Sequence, residues 1–95
     1  MTSDYRLVLR EGVLAHRFPE SVVAFHPDTG DTIAMELACG LILVILSDAR
    51  TDLDPDDLRS RIGSCLPETP PDADFFEVCV AELEARDLVR VTEAS

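Results

Sequence analysis

The chain has 95 residues, of which 46 % are hydrophobic, a length that suits one compact domain over residues 1–95 and not two. The 19 acidic residues outnumber the 8 basic residues, all of them arginine, and the formal net charge is -11. This charge repels phosphate backbones and anionic lipid surfaces, so it argues against nucleic acid or a membrane as partner and favours a basic one.

The first third of the chain has the composition of β-strands. Tyr5 to Leu9, Val13 to Phe18 and Ser21 to His26 are rich in Val, Leu and aromatic residues and are too short for helices. The Pro-Asp-Thr-Gly sequence over residues 27–30 suits a tight reversal, because proline presets the backbone and glycine tolerates positive φ. Asp31 to Met35 is therefore predicted to return as an antiparallel strand.

The first helix is predicted where the pattern changes after Glu36. Leu37 to Leu46 is nearly uninterrupted in apolar residues and longer than a typical strand, which indicates a helix buried on most sides. Gly40 costs about 1 kcal/mol relative to alanine in such a helix and is expected to permit close packing.

The second helix is predicted to begin after Asp54, which can cap it, with a proline in the first turn and acids that complement the helix dipole. Leu58 and Ile62, with Cys65 and Leu66 as further candidates, supply its inner face, and it should end near Gly63 or Ser64.

The third helix follows Pro70-Pro71, with Asp72 or Asp74 as its cap, and we expect it to be the longest. Its apolar stripe consists of Phe76, Val80 and Leu83, with Val78 and Cys79 flanking it. Phe75 points about 100° away from its neighbour Phe76, so the two cannot both occupy the centre of one face.

The segment from Leu88 to Thr92 alternates and is predicted to be a final extended segment lying against the sheet. The order of elements predicts an α+β domain, in which a three-stranded antiparallel β-sheet is followed by a three-helix winged helix-turn-helix-like bundle.

The location of the protein is predicted from three absences. No basic segment leads into an apolar stretch and a cleavage site, and the longest apolar run is far shorter than the roughly 20 residues that span a bilayer. Cys39, Cys65 and Cys79 form neither a disulfide framework nor a CxxC metal pattern. We expect a soluble cytoplasmic protein whose cysteines are reduced and mostly buried.

The polar residues do not form a catalytic or metal-binding pattern. His16 and His26 are the only histidines, and no further ligands lie near them at metal spacing. Cys39 lies in an apolar run that disfavours its thiolate. A glycine-rich phosphate loop, a Ser-His-Asp set and a Cys-His pair are all lacking. The sequence therefore predicts no catalytic, cofactor-binding or metal-binding residues and a protein that is not an enzyme.

Three segments carry a family resemblance. Val22 to Thr32, which reads Val-Val-Ala-Phe-His-Pro-Asp-Thr-Gly-Asp-Thr, resembles the β-hairpin of PqqD-like proteins, especially the HPr-related branch. Leu53 to Leu58 is similar to the start of that family's short helix, and Leu83 to Val89 is similar to its final Leu-Glu-Ala-x-x-Leu-Val signature. The resemblance spans Val13 to Val91. It departs from the family pattern at Asp87, where glycine is usual, and at Met35-Glu36-Leu37, where a proline usually enters the first helix.

The resemblance implies a peptide chaperone, known as a RiPP recognition element, that is not a catalyst. Such a protein binds the leader peptide of a ribosomally synthesised precursor by β-strand addition and presents it to a modifying enzyme, here expected to be encoded nearby. Carried over to this chain, the exposed edge strand comprises Asp31, Thr32, Ile33, Ala34 and Met35. The facing helix wall comprises Phe75, Cys79, Glu82 and Arg86. An acidic wall would suit leader peptides that carry Lys or Arg.

Two other functions remain open from the sequence. A winged-helix DNA-binding regulator would place the last helix in the major groove, where phosphate contacts require basic residues. This helix instead has one arginine, Arg86, and five acids: Asp72, Asp74, Glu77, Glu82 and Glu84. A structural homodimer subunit would pair the Asp31 to Met35 strand with a second copy.

Overall fold

A computed structural model of the protein describes residues 5–68 and 71–93. Along the chain these residues form five strands and three helices: β1 (Tyr5–Leu9), β2 (Leu14–Arg17), β3 (Ser21–Phe25), β4 (Thr32–Glu36), α1 (Leu37–Ala49), α2 (Pro55–Cys65), α3 (Ala73–Ala85) and β5 (Val89–Glu93). The predicted α+β class, with a three-stranded antiparallel sheet and three helices, is confirmed. No helix within the described ranges is long and apolar enough to cross a membrane.

The strands form two antiparallel sheets, one of order β2-β3-β4 and one in which β1 pairs with β5. The predicted final segment, Leu88 to Thr92, is thus extended, but it pairs with β1 and does not join the three-stranded sheet. Burial explains this choice, since Leu7 at the centre of β1 and Val89 at the start of β5 are both almost fully buried. The Tyr5 hydroxyl also donates to Glu77 Oε1 at 3.0 Å, which links β1 to α3.

Helix α1 lies at the centre of the core and packs against both sheets and both other helices. Leu41, Ile42, Leu43 and Leu46 are buried almost completely. Gly40 faces Val22 of β3 so closely that a Cβ atom built on it would lie 2.2 Å from the Val22 Cβ. The prediction that Gly40 permits close packing is confirmed.

Aspartate caps begin the other two helices, as predicted. The Asp54 side chain accepts a 2.7 Å hydrogen bond from the Asp57 amide at the start of α2, and Asp72, not Asp74, accepts one from the Phe75 amide. Pro70, half of the predicted Pro-Pro break, lies outside the described residues.

Two predictions about the helices and cysteines are wrong. Helix α3 is not the longest, because α1 also has 13 residues. Helix α1 continues to Ala49, and Arg50 follows it in the left-handed conformation with φ 56°. The cysteines are not mostly buried: Cys79 is buried, but Cys39 is half-buried and Cys65 is exposed, because α2 turns Leu58 and Ile62 inward instead.

Candidate functional site

Strand β4 forms one edge of the three-stranded sheet. It runs from Thr32 to Glu36, one residue later than the predicted Asp31 to Met35. Within residues 5–68 and 71–93, no strand pairs with the outer side of β4. Its backbone groups on that side therefore lack ladder partners in the described part of the chain.

The register shows which backbone groups of β4 face outward. The His26 amide donates to the Asp31 carbonyl at 2.9 Å, so this pair belongs to the hydrogen-bonded set of the β3–β4 ladder. Hydrogen-bonding direction alternates along an antiparallel strand, so the amide of Ile33 points to β3. The amides and carbonyls of Thr32 and Ala34 consequently point to the open edge.

A groove of about 300 Å³ lies between β4 and α3. Seven of the nine residues predicted for the site line it: Ile33, Ala34, Met35, Phe75, Cys79, Glu82 and Arg86. Asp31 instead lines an adjoining depression of about 380 Å³, which shares Ile33 and Arg86 with the groove. Thr32 lines neither, although it belongs to the open edge.

The groove has an apolar floor and an apolar rim. Cys79 and Leu83 are buried beneath it. Phe75 and Val78 stand at its mouth, and Val78 is 65 % exposed. Phe76 is buried in the core, so the two adjacent phenylalanines divide between groove and core as their angular separation requires.

Four lining residues were not predicted: Glu36, Cys39, Val78 and Leu83. Val78 could have been found, because it is three residues from Phe75 and so shares its helix face. Glu36 and Cys39 come from the junction of β4 and α1. Their approach to α3 depends on how the two helices cross, which no local pattern indicates.

The charges of the groove are only partly neutralised. Arg86 forms an ion pair with Glu82 one turn earlier, with the Nη2 to Oε1 distance at 3.0 Å. Glu36 and Asp31, at opposite ends of β4, have no ion pair within the described part of the chain. Unneutralised acids therefore flank the edge strand at both ends.

A charged cluster surrounds Asp87, just beyond the C-terminal end of α3. Asp87 adopts φ 59°, so an aspartate ends this helix in the left-handed conformation that usually favours glycine. Arg10 Nε lies 2.7 Å from Asp87 Oδ2, and His26 Nε2 lies 3.3 Å from the same oxygen. The end of α3 is thereby attached to the β3–β4 hairpin, and this attachment helps fix the separation of the two groove walls.

The two histidines lie in different environments, one buried and one exposed. His26 is 5 % exposed, and its Nδ1 accepts a 3.1 Å hydrogen bond from the Asp28 amide, so the hydrogen-bond network assigns the proton to Nε2, beside Asp87. His16 is exposed on β2, and its ring and that of Phe18 form a T-shaped pair with centroids 4.7 Å apart. Among the residues that the structure describes, no group of three or more potential metal ligands occurs.

The sequence matches no protein-family model and no curated protein. A solved structure matches the fold: TbiB1 in complex with the TbiA(beta) leader peptide. The TM-score is 0.63 and the match covers 87 % of this chain and 94 % of that one, at 15 % sequence identity. The chain shares the fold of TbiB1.

Proposed function

We propose that the protein is a peptide chaperone without catalytic activity, which binds the leader peptide of a ribosomally synthesised precursor by β-strand addition. It then presents the peptide to a modifying enzyme encoded nearby. The observation that carries the proposal is the open edge of β4, which faces α3 across an apolar groove. Support comes from the shared fold, since TbiB1 was solved with a leader peptide bound.

The peptide would bind as a fourth strand next to β4. Its backbone would pair with the outward amides and carbonyls of Thr32 and Ala34, each net hydrogen bond contributing about 0.5 to 1.5 kcal/mol. Peptide side chains on the same face as Ile33 and Met35 would enter the groove, where Cys79 and Leu83 form an apolar floor. Apolar residues at alternate positions of the leader would therefore be favoured.

The charges favour leader peptides that carry Lys or Arg. The unneutralised carboxylates of Asp31 and Glu36 lie at the two ends of the edge strand, and the whole chain has a net charge of -11. Glu82 contributes less than the sequence suggested, because Arg86 already neutralises it. Electrostatic attraction of this kind acts mainly on the association rate and on specificity, and salt weakens it.

Proline substitutions test strand addition, with calorimetry of the neighbouring precursor's leader peptide as the assay. Thr32→Pro and Ala34→Pro each remove an amide that faces the open edge, so the fold should persist while leader affinity falls. Ile33→Pro is the matched contrast, because its amide faces β3 and its loss should destabilise the sheet itself. If the two outward variants are folded and bind the leader as the parent does, strand addition at β4 is wrong.

Two glutamate-to-glutamine substitutions test whether the carboxylates of the groove attract the leader peptide. Glu36→Gln should weaken binding of a basic leader at low salt, whereas Glu84→Gln, which removes an exposed acid that does not line the groove, should leave it unchanged. Equal effects of the two variants would assign the attraction to net charge and not to the groove.

The open edge also supports the second candidate, a structural homodimer in which two β4 strands pair. Sedimentation distinguishes it from the chaperone. A dimer would show a concentration-dependent mass that Ala34→Pro abolishes, together with no binding of leader peptides.

A further inference from the structure

Two cysteines from different helices line the groove. Cys39 lies in the first turn of α1 and Cys79 in the middle of α3, and both line the same cavity. The Cα atoms of these helices approach within 8 Å of each other. Cys65 is exposed on α2 and does not line this cavity, so the chain contains its own control thiol.

The two thiols are chemically unequal. The hydrogen bond to Cys79 and then burial raise the pKa of the Cys39 thiol. Because Cys79 accepts that hydrogen bond, its pKa is lowered, against the opposing effects of burial and of the carboxylates of Glu36 and Glu82. The hydrogen bond between the two thiols thus favours the ionised form of Cys79 and the neutral form of Cys39.

We propose that Cys39 and Cys79 are a modification site, a dithiol that hydrogen peroxide converts to a reversible disulfide bridging α1 and α3. The Cys79 thiolate attacks one peroxide oxygen and breaks the O–O bond, which gives a sulfenic acid and releases water after protonation. The Cys39 sulfur then attacks the Cys79 sulfur and displaces the sulfenic oxygen as a second water. The two thiols lose two electrons and two hydrogens, and the peroxide is reduced to two waters.

The surroundings select the class of oxidant. Two carboxylates, those of Glu36 and Glu82, and one guanidinium, that of Arg86, line the groove, so its net charge is negative and an anionic disulfide such as oxidised glutathione is repelled. Peroxide is small and neutral and meets no such barrier. The same carboxylates disfavour the thiolate, so the reaction is slower than at a thiol next to basic residues.

Disulfide formation would alter the groove itself. An S–S bond is about 2.05 Å long and requires Cα atoms about 4.4 to 6.8 Å apart, so it would fix the distance between α1 and α3 at the two cysteines. This step rests on the proposed function: a bound leader would cover the thiols and slow their oxidation, and the disulfide would in turn weaken leader binding.

The chemistry is tested without any leader peptide. The Cys65→Ser protein is reduced, treated with hydrogen peroxide, digested without reductant and examined by mass spectrometry. A cross-linked peptide that joins residues 39 and 79, two hydrogens lighter than the sum of its parts, is expected, and dithiothreitol should abolish it. Cys39→Ala and Cys79→Ala in the same background should not form it.

Recovery of only sulfenic or sulfinic acids, or of disulfides between separate molecules, would overturn the proposal. The result comes from the folded Cys65→Ser protein alone, so it does not depend on the alanine variants. It also differs from a failure of the proposed function, because a protein that binds no leader would still form the cross-link. If the oxidised protein binds the leader as tightly as the reduced one, the effect on the groove is wrong.

Discussion

Gly40→Ala should destabilise this protein, although the same change stabilises an unobstructed helix by about 1 kcal/mol. The new Cβ would lie 2.2 Å from the Cβ of Val22, 2.6 Å from its Cγ2 and 2.9 Å from its Cγ1. No rotamer of Val22 relieves the shortest of these contacts, because the position of a Cβ atom is fixed by its own backbone.

The magnitude follows from how far the elements must separate. Carbon atoms pack best about 3.5 to 4.0 Å apart, so α1 and β3 must move apart by roughly 1.5 Å around this contact. Overpacking a core costs about 1 to 3 kcal/mol, and a displacement of backbone belongs at the upper end of that range. After the gain in helix propensity, the free energy of unfolding should fall by about 1 to 2 kcal/mol.

Urea unfolding followed by circular dichroism measures this change, and a double-mutant cycle identifies its cause. Val22→Ala should not rescue Gly40→Ala, because it keeps the Cβ that makes the 2.2 Å contact. Val22→Gly removes all three contacting atoms, so in that background Gly40→Ala should become neutral or stabilising. A Gly40→Ala protein that is about 1 kcal/mol more stable than the parent would refute the reasoning.

Two further predictions concern ionisable groups. Burial and the hydrogen bond to Glu77 raise the pKa of Tyr5, the single tyrosine, to about 12. The neutral phenol is thus favoured by folding, so its contribution to stability is present below the ordinary tyrosine pKa of about 10 and is lost as pH rises toward about 12. Ultraviolet titration of the phenolate checks this, and Glu77→Gln should lower the pKa; an unchanged pKa would contradict the assigned cause. Asp87→Asn keeps tolerance of the left-handed backbone but loses the ion pair with Arg10, so the unfolding free energy should fall by about 0.5 to 1 kcal/mol at low salt and less at high salt. Equal stability of Asp87→Asn and parent at low salt would show that the ion pair contributes nothing.

The helix starts and the hairpin were predictable because their signals are local. An aspartate directly before Pro55 and another before Ala73 predict the two helix caps. The turn sequence at residues 27–30 predicts the reversal that brings β4 back against β3. The partner of β5 was not predictable in this way. Its pairing with β1 joins opposite ends of the chain, for instance Leu7 with Val91, and such a choice depends on the assembled core.

Some residues of the candidate site could likewise be predicted from the sequence, and others depend on the assembled fold. The family resemblance, and not periodicity alone, placed a helix wall at Phe75, Cys79, Glu82 and Arg86. These residues recur at helical spacing, and they do line one groove. Which amides of β4 point outward could not be read, because the answer depends on the hydrogen bond between His26 and Asp31. The presence of Cys39 in the groove could not be predicted either, because it depends on how α1 packs against α3.

The close contact between Val22 and Gly40 also fixes the position of the β3–β4 hairpin along α1. If the hairpin shifted along α1 by one residue, Ser21 or Val23 would lie against Gly40 in place of Val22. Every side chain of β3 would then point to the opposite face of the sheet. Changes in the length of the residue 27–30 turn should therefore be absorbed within the turn. The hairpin loop can then be lengthened, or replaced by a foreign sequence, while the same amides of β4 continue to face the open edge.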